Sequence, residues 1–234
     1  DSSVVTAIAS RQLGQEGVTL NTFSFDFAHN DACFQSNAFQ PTRDRPYVDQ
    51  VLALYPLHHT YLECDEATLA GLLGDAVRMK DLPGMTDVDA SLLYFCGLVK
   101  QHNKVALTGE CADEIFGGYP WFYREDLLRV DGFPWSPDLS ARTALLSDEA
   151  IHELHLEEYT RERYRDTLAQ VPLLPEEKAE TRRRREMSYL NLRWFMQTLL
   201  DRMDRTSMAW GLEARVPFAD HRIVEYVYNV PWSM

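Results

Sequence analysis

Val105-Ala106-Leu107-Thr108-Gly109-Glu110-Cys111-Ala112-Asp113-Glu114-Ile115-Phe116-Gly117-Gly118-Tyr119 is a short apolar run that breaks into an acidic, glycine-flanked loop. Glu110, Asp113 and Glu114 fall within five positions, a composition that suits neither a core nor a helix start. Carboxylates gathered just beyond a strand can instead hold a cation against phosphate oxygens. Whether they do so here depends on the elements that flank them.

Working outward, Lys104 to Leu107 reads as a short strand. Ahead of it, Leu92, Leu93, Phe95, Cys96 and Val99 recur at helical intervals behind Thr86-Asp87-Val88-Asp89, which has capping-box spacing. A further helix runs from about Ala67 to Arg78, ending before the loop Leu82-Pro83-Gly84. His58 to Glu63 and Val18 to Phe27 read as strands with a helix over Tyr47 to Leu54 between them. Residues 1–13 make a first helix with Val4, Val5, Ile8 and Leu13 near one face, and Asp1, Ser2 and Ser3 suit an N-terminus that can receive an anion. Strands alternating with helices predict an α/β fold, with a mostly parallel sheet flanked by helices and ligands beyond the carboxyl ends of the strands.

After Tyr119 the character changes. Pro120 to Val130 is aromatic and charged, Gly132 to Pro137 is turn-rich, and Asp148 to Leu200 is largely helical by pattern, with one helix from about Pro175 to Leu200. The run Arg182 to Arg185 within it reads as a solvated helix face. Leu199 to Tyr228 reads as helix, loop, helix, the loop lying near Val216-Pro217-Phe218. The expected division is therefore an α/β nucleotide-binding part over 1–119 and an added, mainly helical region over 120–234.

With 234 residues, 45% hydrophobic and 25% charged, the chain has the make-up of a globular protein with a real core. A formal net charge of −13 argues against broad contact with nucleic acid or an anionic membrane, so any phosphate site must be local. Cys33, Cys64, Cys96 and Cys111 show no paired C-x-x-C spacing, and no stretch reads as a signal peptide or a membrane span. A cytoplasmic setting is the default expectation. Both ends read as cut from a longer protein.

Asp1-Ser2-Ser3 alone would pass for a plain helix cap. Three stretches taken together resemble a family. Gly109 to Tyr119 is similar to the G-E-G-x-D-E-x-F-G-G-Y signature of the synthetase domain of glutamine-hydrolysing asparagine synthetases. Asp204-Arg205-Thr206-Ser207-Met208-Ala209-Trp210-Gly211-Leu212-Glu213-Ala214-Arg215-Val216-Pro217-Phe218-Ala219-Asp220-His221-Arg222 is similar to its second long signature. Asp1-Ser2-Ser3 matches the end of its S-G-G-x-D-S-S pyrophosphate loop. The order is the family's, and the three span nearly the whole chain.

The resemblance implies a PP-loop ATP pyrophosphatase fold of the HUP type and a ligase acting in two steps. ATP adenylates the side-chain carboxylate of aspartate, releasing pyrophosphate, and ammonia converts β-aspartyl-AMP to asparagine and AMP. The family draws that ammonia from glutamine through an N-terminal glutaminase domain whose nucleophile is its first-residue cysteine, so none of the four cysteines here takes that role. A homodimer stays open. By the same resemblance Asp1 and Asp113 are Mg²⁺ ligands, and Ser2 and Ser3 contact pyrophosphate. Thr108, Gly109 and Phe25 hold the adenosine, largely through the backbone. Gly109 also has a physical reason, since a residue without Cβ lets a ligand approach closely. Glu110 matches the glutamate of the ammonia step, and Arg205 falls where many members carry lysine against the phosphates. Arginine keeps the charge but presents a planar fork instead of a compact ammonium.

Glu110 separates the leading reading from the nearest alternative, because related β-lactam synthetases carry tyrosine at its position. A peptide-modifying adenylating relative is a second alternative, and a non-catalytic scaffold a third, opposed by Glu110, Asp113 and Arg205. A metal-dependent hydrolase lacks H-x-x-x-H or C-x-x-C ligands, and His152 and His155 read as exposed. Cys111 reads as a small buried residue at a position often glycine. Trp210, Pro217 and Phe218 read as packing, and Glu213 with Arg215 as a structural ion pair. The resemblance puts Ser-Gly-Gly-x and a central strand before Asp1 and a further phosphate-contacting lysine after Met234. The segment alone is therefore expected to be inactive.

Overall fold

The computed structural model describes residues 1–36 and 40–234, apart from the side chains of Thr86 and Asp87. In chain order the first elements are α1 (Ser2–Gln15), β1 (Leu20–Phe27), α2 (Asn30–Cys33), α3 (Arg45–Leu54), β2 (Leu57–Cys64), α4 (Glu66–Lys80), α5 (Thr86–Lys100) and β3 (Val105–Leu107). There follow α6 (Ala112–Phe116), α7 (Glu125–Leu128), α8 (Ser140–Thr143), α9 (Asp148–Leu154), α10 (Leu156–Leu168), α11 (Ala179–Leu190), α12 (Met196–Met208), β4 (Glu213–Arg215) and α13 (His221–Tyr228). The mixed α/β class and the parallel pairing read from the sequence are present. Among the described residues no helix is long and apolar enough to cross a membrane.

Two compact units divide the chain: Asp1–Glu110 with Thr198–Asp220, and Cys111–Gln197 with His221–Met234. A single break near residue 119 does not describe this division, because residues 198–220 return to the first unit. The cause is a strand that periodicity does not reveal. Where sequence reads only helix, loop, helix, Glu213–Arg215 pairs in parallel with Val105–Leu107 in the register Val105↔Glu213 to Leu107↔Arg215. Three residues are too few for an alternating pattern to register.

In the first unit β1 and β2 form a second parallel pair, from Leu20↔Leu57 to Phe27↔Cys64. The described strands thus form two two-stranded sheets. Helix α5 serves both: its Cys96 and Val99 are buried with Leu212, and Phe23 of β1, Leu62 of β2 and Ala106 of β3 pack against them. The other side of α5 supplies Ala90 and Leu93 to a cluster with Ala76, Leu69, Leu72 and Leu73 of α4. Each large side chain so buried contributes about 1.5–3 kcal/mol. Asp65 caps α4 by accepting the Thr68 N–H at 2.7 Å, which holds its carboxyl below the usual carboxylate range. Helix α5 starts at Thr86 with Met85 as N-cap, and the capping box read there falls on side chains outside the described ones. The apolar face expected on α1 stays in part uncovered, with Val4 and Ile8 exposed.

The second unit is built on aromatic packing. Trp121, Phe122, Leu128 and Met187 form one buried cluster. Phe133, Tyr164 and Leu190 form another, and Trp135 packs against both. Between α11 and α12 the helix widens to a π turn over Asn191–Phe195. The buried Asn191 amide there donates to the Met187 carbonyl at 2.9 Å and accepts from Trp121 Nε1 at 3.4 Å. Helix α11 begins at Ala179, four residues later than the sequence pattern suggests.

Its basic run is not a solvated face. Arg182 is exposed, but the side chains of Arg183, Arg184 and Arg185 are largely buried. Arg183 donates to the carbonyls of Leu128 and Val130, both at 2.7 Å, closing the loop after α7. Arg185 pairs with buried Glu177 at 2.9 Å and lies over the Tyr228 ring. A charge run marks an exposed face only when the fold offers it no acceptors; here carbonyls and a carboxylate take it in.

Candidate active site

Just beyond β3, Thr108 donates its N–H to the Arg215 carbonyl at 3.0 Å and so extends the β3–β4 pairing by one bond. The hydroxyl of Thr108 in turn accepts the Glu110 N–H at 3.3 Å. Gly109 between them has no room for a side chain. A Cβ there would lie 2.6 Å from the Ser2 nitrogen and 2.7 Å from its Oγ. The turn after β3 is therefore pressed against the start of α1, and two sequence motifs more than a hundred positions apart meet in one place.

Asp1 is the N-cap of α1 and its carbonyl accepts the N–H groups of Val4 and Val5. Ser2 and Ser3 occupy the first turn, both exposed. The first N–H groups of a 14-residue helix lack helical acceptors and carry the positive end of its dipole, which favours an anion. Phe25 lies on β1, half exposed, with its ring stacked on Phe95 at 4.0 Å and 6°. Asp1, Ser2, Ser3, Phe25, Thr108, Gly109, Glu110 and Arg205 all belong to the first unit.

Glu110 is largely buried, and its Oε1 receives Arg202 Nη2 at 3.2 Å; the two side chains are 21% and 14% exposed. Helix α12 supplies this arginine, which motif reading passed over because it lies two residues before the quoted signature. A signal existed: Arg202 and Arg205 are three apart and so neighbours on one helix face. On the α5 side lies Cys96, whose thiol is pushed up to about 12 by burial and, secondarily, by the negative charge of Glu110.

Arg205 is exposed and held by two carboxylates, Asp201 at 3.1 Å and Asp81 at 3.1 Å. Its hydrogen bonds to these two raise the guanidinium above its ordinary range, Asp201 first. The side chain expected to meet phosphate thus has acidic partners within the first unit. Glu213 and Arg215 form the ion pair expected of them, 2.8 Å apart. Trp210 packs as anticipated: its Nε1 donates to the Leu93 carbonyl at 2.8 Å, and Gly97 leaves the room its ring occupies.

In the second unit Asp113 is exposed in the first turn of the short helix α6, so the acidic run does begin a helix, contrary to the sequence reading, as carboxylates favour a helix N-terminus. A side chain on Gly118 would run into its Oδ1, so that glycine keeps the space beside the carboxylate clear. Glu114, by contrast, is fully buried and accepts the Tyr119 hydroxyl at 2.6 Å, a structural role that ties α6 to the glycine turn. Cys111 is buried at 1% exposure with φ +70°, a left-handed conformation that explains why glycine suits the position. His152 and His155 are exposed as expected.

Among the described residues no group of three or more His, Cys, Asp or Glu gathers around a common point. Mg²⁺ characteristically takes one or two carboxylates together with substrate phosphates. Asp1 and Asp113, exposed oxygen donors, are of the right chemistry.

A family model described as asparagine synthase matches residues 1–234. The chain is 49% identical over 235 residues to glutamine-hydrolyzing asparagine synthetase 3 of Bacillus subtilis (strain 168), covering 100% of this chain and 38% of that protein. It is 26% identical over 221 residues to amidase chyE of Penicillium rubens, covering 74% of this chain and 33% of that protein. The chain spans about a third of the length of the curated relatives it matches.

Proposed function

Because the chain belongs to the asparagine synthase family, we propose that it forms the ATP-dependent synthetase part of an enzyme that makes asparagine from aspartate. The observation that carries this reading is the meeting of the turn Thr108-Gly109-Glu110 with the N-terminus of α1. It brings the backbone that carries Glu110 against a helix start suited to an anion, and adenylation followed by amination calls for both an anion site and a carboxylate.

In the first step the aspartate side-chain carboxylate attacks the α-phosphorus of ATP and pyrophosphate leaves. Ser2, Ser3 and the N–H groups of the first turn of α1 bind the departing pyrophosphate. Thr108, Gly109 and Phe25 hold the adenosine, and Arg205 exchanges its carboxylate partners for phosphate. Asp1 of the first unit and Asp113 of the second would each offer a carboxylate to Mg²⁺, which would neutralise charge on the phosphate oxygens.

In the second step the ammonia nitrogen attacks the acyl carbon of β-aspartyl-AMP. The C–N bond forms as the C–O bond to AMP breaks, its electron pair leaving on the phosphate oxygen. Glu110 orients the nucleophile and takes the proton lost from nitrogen. Glutamine, hydrolysed in a separate N-terminal domain, supplies the ammonia in the whole cytoplasmic protein. The 49% identity to a glutamine-hydrolyzing synthetase supports that source.

The test divides the two steps. In the protein that carries this chain, Glu110→Ala leaves pyrophosphate release from ATP and aspartate measurable while asparagine formation is abolished. Equal loss of both would count against the role given to Glu110.

A further inference from the structure

We infer that Arg202 is a positioning residue for the amide-forming step, holding the Glu110 carboxylate ionised and fixed in direction; this rests on the role proposed for Glu110. The contact is direct, Nη2 to Oε1 at 3.2 Å, and both side chains are largely withdrawn from solvent. A carboxylate in such a place drifts toward its neutral form unless an opposite charge stands beside it. A protonated Glu110 could not accept the proton that leaves ammonia.

Arg202 from α12 and Cys96 from α5 both face Glu110. Cys96 remains a neutral thiol, since burial and the charge of Glu110 push it to about 12. It therefore contributes no compensating charge. Arg205, the other arginine on this face of α12, is turned to Asp81 and Asp201. Arg202 supplies a cation that stays charged at any working pH.

The backbone beneath Arg202 is held as well. The fully buried Thr206 returns its hydroxyl to the Arg202 carbonyl, one turn back along α12. Arg202 is thus anchored below and bonded above. A guanidinium so placed sets the direction of one carboxylate oxygen, which a freely rotating side chain would not do.

The experiment measures asparagine formed per pyrophosphate released across pH, in the protein that carries this chain, for Arg202→Met and Arg202→Lys beside the parent. In Arg202→Met the ratio falls about tenfold near neutral pH, the acidic limb of asparagine formation moves upward by about one unit, and pyrophosphate release persists. Arg202→Lys, which keeps the charge but not the fork, returns the limb toward its original place and recovers part of the ratio. An unchanged ratio and limb in Arg202→Met overturns the inference. So does parallel loss of both steps in the two variants, which marks a structural residue. Glu110→Gln run alongside isolates the underlying reading: if it leaves the ratio intact, Glu110 has no part in amination, whatever Arg202 does.

Discussion

At the scale of single residues, Gly109 shows how a backbone atom can decide a site. Its missing Cβ lets the end of β3 close on Ser2, and Gly109→Ala must displace backbone, not a flexible side-chain tip. The substitution is expected to cost about 1–3 kcal/mol and to weaken ATP binding more than it slows asparagine release. Denaturant unfolding together with nucleotide titration checks this; a variant that binds ATP normally would show the close approach to be incidental. The sequence disclosed that glycine belonged here, but not which atoms exclude a side chain. Through the resemblance it gave Asp113 a role but none to Glu114, a neighbour of like chemistry. One is exposed beside a glycine, and the other is buried on the Tyr119 hydroxyl.

Helices and strands were legible in proportion to their length. Helices α1, α3, α4 and α5 and strands β1 and β2 carry enough apolar positions for a period to emerge, whereas β4, three residues long, does not. Helix α11 is legible as a helix but the burial of its basic run is not, because burial of arginine depends on carbonyls and carboxylates supplied from other segments. Arg185→Met leaves Glu177 buried without its partner and is expected to cost about 3–5 kcal/mol in the second unit. Replacing both, Arg185→Met with Glu177→Leu, recovers most of that. Melting curves of the single and double variants read the difference, and a double variant as unstable as the single would sink the account.

For the whole molecule, pH acts through groups that the fold takes out of water. His59 on β2 shares a 2.9 Å hydrogen bond with Thr22, and burial lowers its pKa from 6.5, against the opposing pull of Asp49. The unfolded chain then binds a proton more readily than the folded one. The contribution of neutral His59 is full above pH 6.5 and is lost as pH falls through that value toward the lower folded one. His59→Gln should flatten the decline in melting temperature between about pH 7 and about pH 5; a decline parallel to the parent's would exclude His59 as its source. By itself the sequence determined the α/β class, the parallel pairing and the family, because periodicity and motif spacing are local and survive without coordinates. Only the tertiary structure decided that residues 198–220 return to the first unit, that Arg202 meets Glu110, and that three of the four clustered arginines turn inward. Each of those depends on partners far away in the chain, and no local pattern encodes which distant group will stand opposite a given side chain.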